Sequence, residues 1–265
     1  MIKKLEFPYE AHAGIKALCE KLGIEFMSTP FEEESADFLQ SLDMKRFKIP
    51  SGDINNYPLL KKIAGYGKPI IFSTGMASMD EIGQCLQLLR SFGVSDEKIS
   101  VLHCNTEYPS PFEDVHLRAM RAIGDKYGIR YGYSDHTLGT EVAIAATALG
   151  ASVIEKHFTM SRDLPGPDHR ASLEPKQLAE MVKSIRNISQ ALGSVEKAPT
   201  PSETKNIPIA RKSIVAAKQI SKGQVISEND LAVKRPANGL NPMLWPKVVG
   251  SKAVRDFSAD EPLDL

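Results

Sequence analysis

Two short apolar runs finish on residues that can hold a metal and move a proton. "IRYGYSDHT" starts at Ile129 and closes on Ser134, Asp135 and His136, and "SVIEKHFT" starts at Ser152 and closes on Glu155, Lys156 and His157. In a β-strand alternate side chains share a face. Ser134 therefore sits with His136, and Val153 with Glu155 and His157. Neighbouring strands lie about 4.8 Å apart, close enough for two imidazoles at matching strand ends to converge. Two imidazoles, completed by water and substrate oxygens, suit a divalent transition metal such as Mn2+ or Zn2+. A carboxylate beside them, Glu155, suits proton transfer or the positioning of a nucleophile. The competing reading is two unrelated histidines, one in a loop before a helix and one on a backbone carbonyl, with Glu155 paired inside the fold to a lysine such as Lys48. Spacing alone leaves both readings open. His103 and His169 are weaker ligand candidates.

Other strand ends carry a second kind of chemistry. Lys48 and the hydroxyls of Thr29, Ser51 and Ser73 fall at the ends of three consecutive apolar runs. One cation with several donors makes a cradle for a phosphate or carboxylate, and Gly52 and Gly75 would let the backbone come close to an anion. Thr106, Tyr108 and Ser134 occupy further strand ends. Taken singly, each serine or threonine reads equally as an ordinary loop cap. The Pro- and Gly-rich "RDLPGPDHRASLEP", residues 162–175, carries Asp168 and reads as a substrate lid or as a stiff connection to the next helix. Arg235 in "VKRPANGLNP" reads as a ligand contact or as a plain surface charge. Cys104 reads as a buried strand cysteine rather than a nucleophile.

These residues need elements to position them. Six strand candidates begin near residues 24, 46, 69, 99, 129 and 152, with helical patterns such as "MDEIGQCLQLLRSFG" and "EVAIAATALG" between them. Alternation of this kind predicts a parallel α/β sheet. The repeat of 22 to 30 residues matches one unit of a (β/α)8 TIM-type barrel, in which the C-terminal strand ends form the active site. A Rossmann sheet is the rival, but no G-x-G-x-x-G follows a strand and no P-loop is present. The opening "YEAHAGIKALCEKLG" reads as a helix with no strand before it, so about six of the eight barrel strands are expected. Residues 1–194 are expected to form this barrel domain and residues 195–206 a Pro/Ser/Thr-rich linker. Residues 207–265 are expected to form a small β-rich domain with short runs such as "SIVAAKQI" and "LAVKRP".

Composition narrows the function class. Acidic and basic residues balance at 33 each for zero formal charge, which gives no basic surface for nucleic acid and no patch for an acidic membrane. Three scattered cysteines fit free thiols in a reducing cytoplasm. No apolar run approaches the ~18 residues of a membrane span.

The motifs "FMSTPF", "FKIPSGDINNYPLL", "STGM", "HCNTEYPSPFEDV", "GYSDHTLG", "VIEKHFT" and "PGPDH", in this order, resemble the sialic acid synthase family, whose members include N-acetylneuraminate and N,N'-diacetyllegionaminate synthases. The C-terminal "RKSIVAAKQISKGQVISENDLAVKRPANGLNPMLW" resembles that family's antifreeze-like (SAF) domain. The likeness runs through essentially the whole chain, and the SAF-like segment argues against a 3-deoxy-octulosonate phosphate synthase.

The resemblance implies condensation of phosphoenolpyruvate with an N-acylated mannose-type sugar and water. The products would be a nine-carbon 2-keto sugar acid and phosphate. The sugar would be N-acetylmannosamine or 2,4-diacetamido-2,4,6-trideoxymannose. It implies a metal on His136 and His157, Mn2+ first, with Mg2+ or Co2+ as alternatives, and Glu155 at the reacting carbon or the attacking water. Thr29, Lys48, Ser51, Ser73 and Ser134 would hold phosphoenolpyruvate, with Thr106 and Tyr108 beside it and Asp168 on the sugar hydroxyls. Arg235 would reach the sugar's N-acyl group in the partner subunit of a domain-swapped homodimer. Family members carry two strands ahead of the point where this chain starts, bearing a glutamate and a lysine of the site. The alternative expectation is therefore an inactive fragment that binds only metal or sugar, or that needs a complementing N-terminal piece.

Overall fold

The computed structural model describes residues 7–264, which divide between Gly193 and Ser194 into two compact units. In the first unit, α1 (Tyr9–Leu22) and α2 (Glu33–Ser41) precede β1 (Phe47–Ile49), α3 (Tyr57–Gly65), β2 (Ile70–Ser73), α4 (Met79–Ser91) and β3 (Ile99–Cys104). Then follow α5 (Leu117–Tyr127), β4 (Arg130–Asp135), α6 (Glu141–Ala148), β5 (Ile154–Lys156) and α7 (Pro175–Leu192). The strands form one sheet in chain order, every neighbouring pair parallel. With a helix between successive strands, this is the β/α half-barrel of a TIM-type fold.

Local chemistry explains the element boundaries. Strand β2, "IIFS", is buried along its whole length, as expected for a parallel strand covered on both faces. Helix α4 starts at Ser78, whose hydroxyl accepts from the Glu81 amide while the Glu81 carboxylate accepts from the Ser78 amide. This reciprocal cap satisfies two donors that would otherwise be unpaired. Phe47, Ile49, Phe72 and Val101 from the strands meet Leu60, Ile63, Leu86 and Leu89 from the helices in one buried cluster.

The first of the six expected strands does not form. From Ile24 to Pro30 the chain has no regular secondary structure and belongs to no ladder. The Ile24 amide turns back to the Cys19 carbonyl at the end of α1, and Phe26 packs on the core. Apolar content gives this segment a buried side, but a strand also needs a hydrogen-bonded neighbour, and β1 pairs with β2 alone among the described residues. The described sheet therefore has five strands, with Thr29 on an unpaired segment.

The second unit contains α8 (Pro201–Thr204), inside the stretch expected to be linker, then α9 (Ile207–Ala210), β6 (Ser213–Ala216), β7 (Leu231–Lys234) and α10 (Trp245–Val248). Strands β6 and β7 are antiparallel, and isolated bridges such as Ile220 to Phe257 extend the pairing. Ile214, Ile220, Ile226, Val248, Phe257 and Leu263 give this unit its own core. No helix among the described residues is long and apolar enough to cross a membrane.

One glycine controls the spacing of the strands that end in histidine. A Cβ at Gly132 would lie 2.2 Å from the Val153 carbonyl oxygen and 2.8 Å from Leu102 Cδ2. A backbone atom on the way into β5 cannot step aside without moving that strand. Gly132→Ala is expected to cost about 1–3 kcal/mol or more, read as a lowered midpoint in urea unfolding.

Candidate active site

The parallel register of β4 and β5 places Ser134 opposite Glu155. The Ser134 hydroxyl donates to Glu155 Oε1 at 2.6 Å, and Lys48 Nζ lies 3.3 Å from Glu155 Oε2. The lysine side chain is only 7% exposed, against 36% for the glutamate. A buried ammonium requires a partner, and Glu155 supplies it while keeping an open side. The ion pair anticipated as the alternative role of Glu155 is thus part of the site itself.

The two histidines converge. The rings of His136 and His157 are 5.3 Å apart and nearly perpendicular. Tyr108 forms a wall beside both, 4.1 Å from the first ring and 5.4 Å from the second. His136 Nδ1 lies 2.5 Å from the Asn105 carbonyl oxygen, and His157 Nδ1 lies 3.9 Å from Asp168 Oδ2. Asp168 lies near His157 Nδ1 without a hydrogen bond to it, while the His136 ring turns Nδ1 toward an acceptor, which leaves its Nε2 as the lone-pair nitrogen. Metal-binding histidines are oriented in this way. Among the described residues no third histidine, cysteine or carboxylate joins them as a metal group. The donor set fits a divalent ion that takes its remaining positions from water and substrate.

The anion-binding candidates divide into two groups. Ser73 Oγ is buried and has no hydrogen-bond partner among the described residues, so its capacity is free for a ligand at the end of β2. Ser51 is already engaged: its Oγ accepts from the Gly75 amide at 2.9 Å and lies 3.2 Å from Cys104 Sγ. It joins the loops after β1 and β2. Gly75 is needed there, because a Cβ would meet Thr106 Cγ2 at 2.4 Å. Thr106 therefore abuts the same loop, and burial pushes the Cys104 thiol up, as suits an inert strand cysteine.

The loop after β5 is anchored rather than loose. Arg162 donates to the Ser172 carbonyl and to Gln177 Oε1, and its amide donates to Glu174. His169 Nδ1 lies 2.7 Å from the Thr159 hydroxyl. His169 therefore secures the loop that carries Asp168 and does not join His136 and His157. His103 is also apart: it faces the helix layer, with Nε2 on the Val115 carbonyl and its ring against Tyr133. Arg235 belongs to the second unit, exposed, with Nε donating to the Ala210 carbonyl. Reading residue types alone missed Asn105 and Arg162. Asn105 acts through its backbone carbonyl, which has no signature in residue type.

Two measurements follow from this geometry. Removing an unpaired buried hydroxyl should cost little, so Ser73→Ala is expected to leave the urea midpoint unchanged or raise it. Burial holds His103 and His136 below the ordinary imidazole range, although the carbonyls of Val115 and Asn105 oppose the shift. Stability from these neutral rings is present above the unfolded value, about 6.5, and is lost as pH falls through the folded values. NMR titration of the metal-free chain should give both rings midpoints below 6.5, with the melting temperature falling over the same range.

Comparison with known proteins places this geometry. Residues 1–197 match the NeuB family, and residues 211–265 match the SAF domain. The N,N'-diacetyllegionaminic acid synthase of Campylobacter jejuni is 48% identical over 261 residues, covering 98% of this chain and 78% of that protein. The N,N'-diacetyllegionaminic acid synthase of Legionella pneumophila is 43% identical, covering 98% and 73%. Among solved structures, the N-acetylneuraminic acid synthetase of Leptospira borgpetersenii, crystallised with citrate, superposes with a TM-score of 0.72 at 35% identity, covering 77% of this chain and 71% of that one. The half-barrel unit and the separate β-rich unit thus match in turn the two parts of one protein type: this chain belongs to the NeuB family of sialic acid synthases and carries a SAF domain at its C-terminal end.

Proposed function

We propose that this chain condenses phosphoenolpyruvate with an N-acylated mannose-type sugar and water, releasing phosphate and a nine-carbon 2-keto sugar acid. The observation that carries this reading is Glu155. It is held by Ser134 and Lys48 on one side and stands two residues before His157, on the same face of its strand. Lys48 and Ser73 offer a buried cation and an unpaired hydroxyl for the phosphate and carboxylate of phosphoenolpyruvate. Thr29 would add a donor, Ser134, whose hydroxyl proton is held by Glu155, would keep that carboxylate aimed at the substrate, and Ser51 would hold the surrounding loops.

In the reaction the methylene carbon of phosphoenolpyruvate bonds to the sugar's aldehyde carbon. A water oxygen bonds to C2, and the C2–O bond to phosphate breaks. Glu155 would accept the proton of that water, with Lys48 balancing its charge. His136 and His157 would hold a divalent ion, Mn2+ before Mg2+ or Co2+. When bound, the ion supplies Lewis-acid polarisation of the aldehyde oxygen. Tyr108 and Thr106 would confine the reacting end, and Asp168 would orient the sugar hydroxyls. Arg235 would read the N-acyl group from a second subunit in a domain-swapped dimer.

For the sugar, 2,4-diacetamido-2,4,6-trideoxymannose is favoured over N-acetylmannosamine, because two relatives at 48% and 43% identity bear the legionaminic acid synthase name. The free cysteines suit a cytoplasmic setting.

Phosphate release by the purified chain, with phosphoenolpyruvate, Mn2+ and each sugar in turn, tests the reading. Release should require both substrates and proceed faster with the diacetamido sugar, and His157→Ala should abolish it. Glu155→Gln should lower kcat by about 10²–10⁴-fold. Ser73→Ala should raise the KM for phosphoenolpyruvate more than that for the sugar. Turnover by His157→Ala at the wild-type rate would sink the assignment.

A further inference from the structure

Directly behind the two histidines lies an ion pair that the reaction does not use. Asp135 precedes His136 and Lys156 precedes His157. The two are Cα partners in the β4–β5 ladder, and they are the last paired residues of both strands. Alternation sends their side chains to the sheet face opposite Ser134 and Glu155. Lys156 Nζ lies 2.8 Å from Asp135 Oδ2, with side-chain exposures of 2% and 0%. The same ammonium donates to the Thr137 carbonyl at 2.6 Å. The other carboxylate oxygen, Oδ1, accepts from the Thr137 amide and hydroxyl at 2.9 and 2.7 Å. Both oxygens of a fully buried carboxylate are thus satisfied, and the turn after His136 is tied to the strand that carries His157.

Stability is a weak reason for such a pair, since taking two charges out of water offsets most of their attraction and apolar residues of like size often serve as well. What the pair supplies that an apolar contact does not is direction. Beyond it the ladder stops: the His136 carbonyl accepts from Ser110 and the His157 carbonyl from Leu173, each on a different loop. The link from Asp135 through Lys156 to Thr137 is therefore the last tie between the two histidine-bearing strand ends.

We propose that Asp135 and Lys156 are positioning residues that set the spacing of the strand ends carrying His136 and His157 and, through that spacing, keep His136 on the Asn105 carbonyl that orients its ring. In its consequence for metal affinity this rests on the reading of those histidines as metal ligands. The test uses the full chain with the apolar pair Asp135→Leu/Lys156→Met, which keeps volume and removes the directed contacts. Thermal melting checks the fold, long-range 1H–15N spectra of the metal-free chain report the ring tautomers, and the EPR signal of free Mn2+ reports binding. A folded variant should lose the single Nδ1–H tautomer of His136 and bind Mn2+ about 10–100-fold more weakly. A folded variant with wild-type ring spectra would overturn the proposal. Should the apolar pair fail to fold, Lys156→Arg keeps the charge and changes the geometry, and it is read in the same way. Wild-type chain that binds no Mn2+, or His157→Ala that binds it equally well, would defeat the metal reading instead, while the ring spectra still decide the positioning role.

Discussion

The ion pair between Lys48 and Glu155 spans the sheet from one edge to the other. Lys48 lies on β1 and Glu155 on β5, the two edge strands of five. In a flat sheet these strands would stand about 19 Å apart, yet the charged atoms meet at 3.3 Å. The sheet must therefore curl until its edges face each other across a common interior, as barrel strands do. The curvature turns a row of strand ends into a ring, and every proposed contact to phosphoenolpyruvate on these strands depends on it. The pair also gives a lysine with 7% side-chain exposure a counter-charge next to the position proposed for an anion.

The two faces of the sheet carry different work. On the concave face Lys48, Ser73, Ser134 and Glu155 present charge and hydroxyls. On the convex face Phe47, Phe72, Val101 and Tyr133 pack against helices. The same face also carries a charged pair, Asp135 with Lys156, sealed by Thr137. It lies back to back with the histidines, where an error in register would be most costly, because a shift by one residue exchanges the two faces. Gly132, pressed against the Val153 carbonyl, keeps the same two strands close further from the rim.

The loops add orientation that the strands lack. Asn105 turns His136 through a backbone carbonyl, and Ser51 bridges to the Gly75 amide. Arg162 and His169 secure the segment bearing Asp168. Each contact fixes a group by hydrogen bonding rather than by packing, which leaves the rest of its side chain open at the rim. The second unit depends on a separate core of nine buried residues, Ile214 to Leu263, and so has its own source of stability.

Residue types and periodicity alone carried the alternation of strands and helices, the change of texture near Gly193 and the gathering of polar residues at strand ends. All three follow from local preferences: side-chain alternation, capping and turn chemistry. The ordered motifs carried the family. The tertiary structure decided the rest, because it depends on partners distant in the chain. "IEFMSTP" has strand composition but no ladder, since a strand is completed by its neighbour. Ser51 and Ser73 look alike as strand-end serines, yet only Ser73 is left unpaired among the described residues, which the position of Gly75 determines. His103 and His169 share the residue type of His136 and His157, but the pleat and the loop anchors turn them toward Val115 and Thr159. Sequence supplied the groups able to do the chemistry, and the curl of the sheet selected which of them meet, because that choice is made by through-space contacts between segments distant in the chain, as Lys48 and Glu155 are.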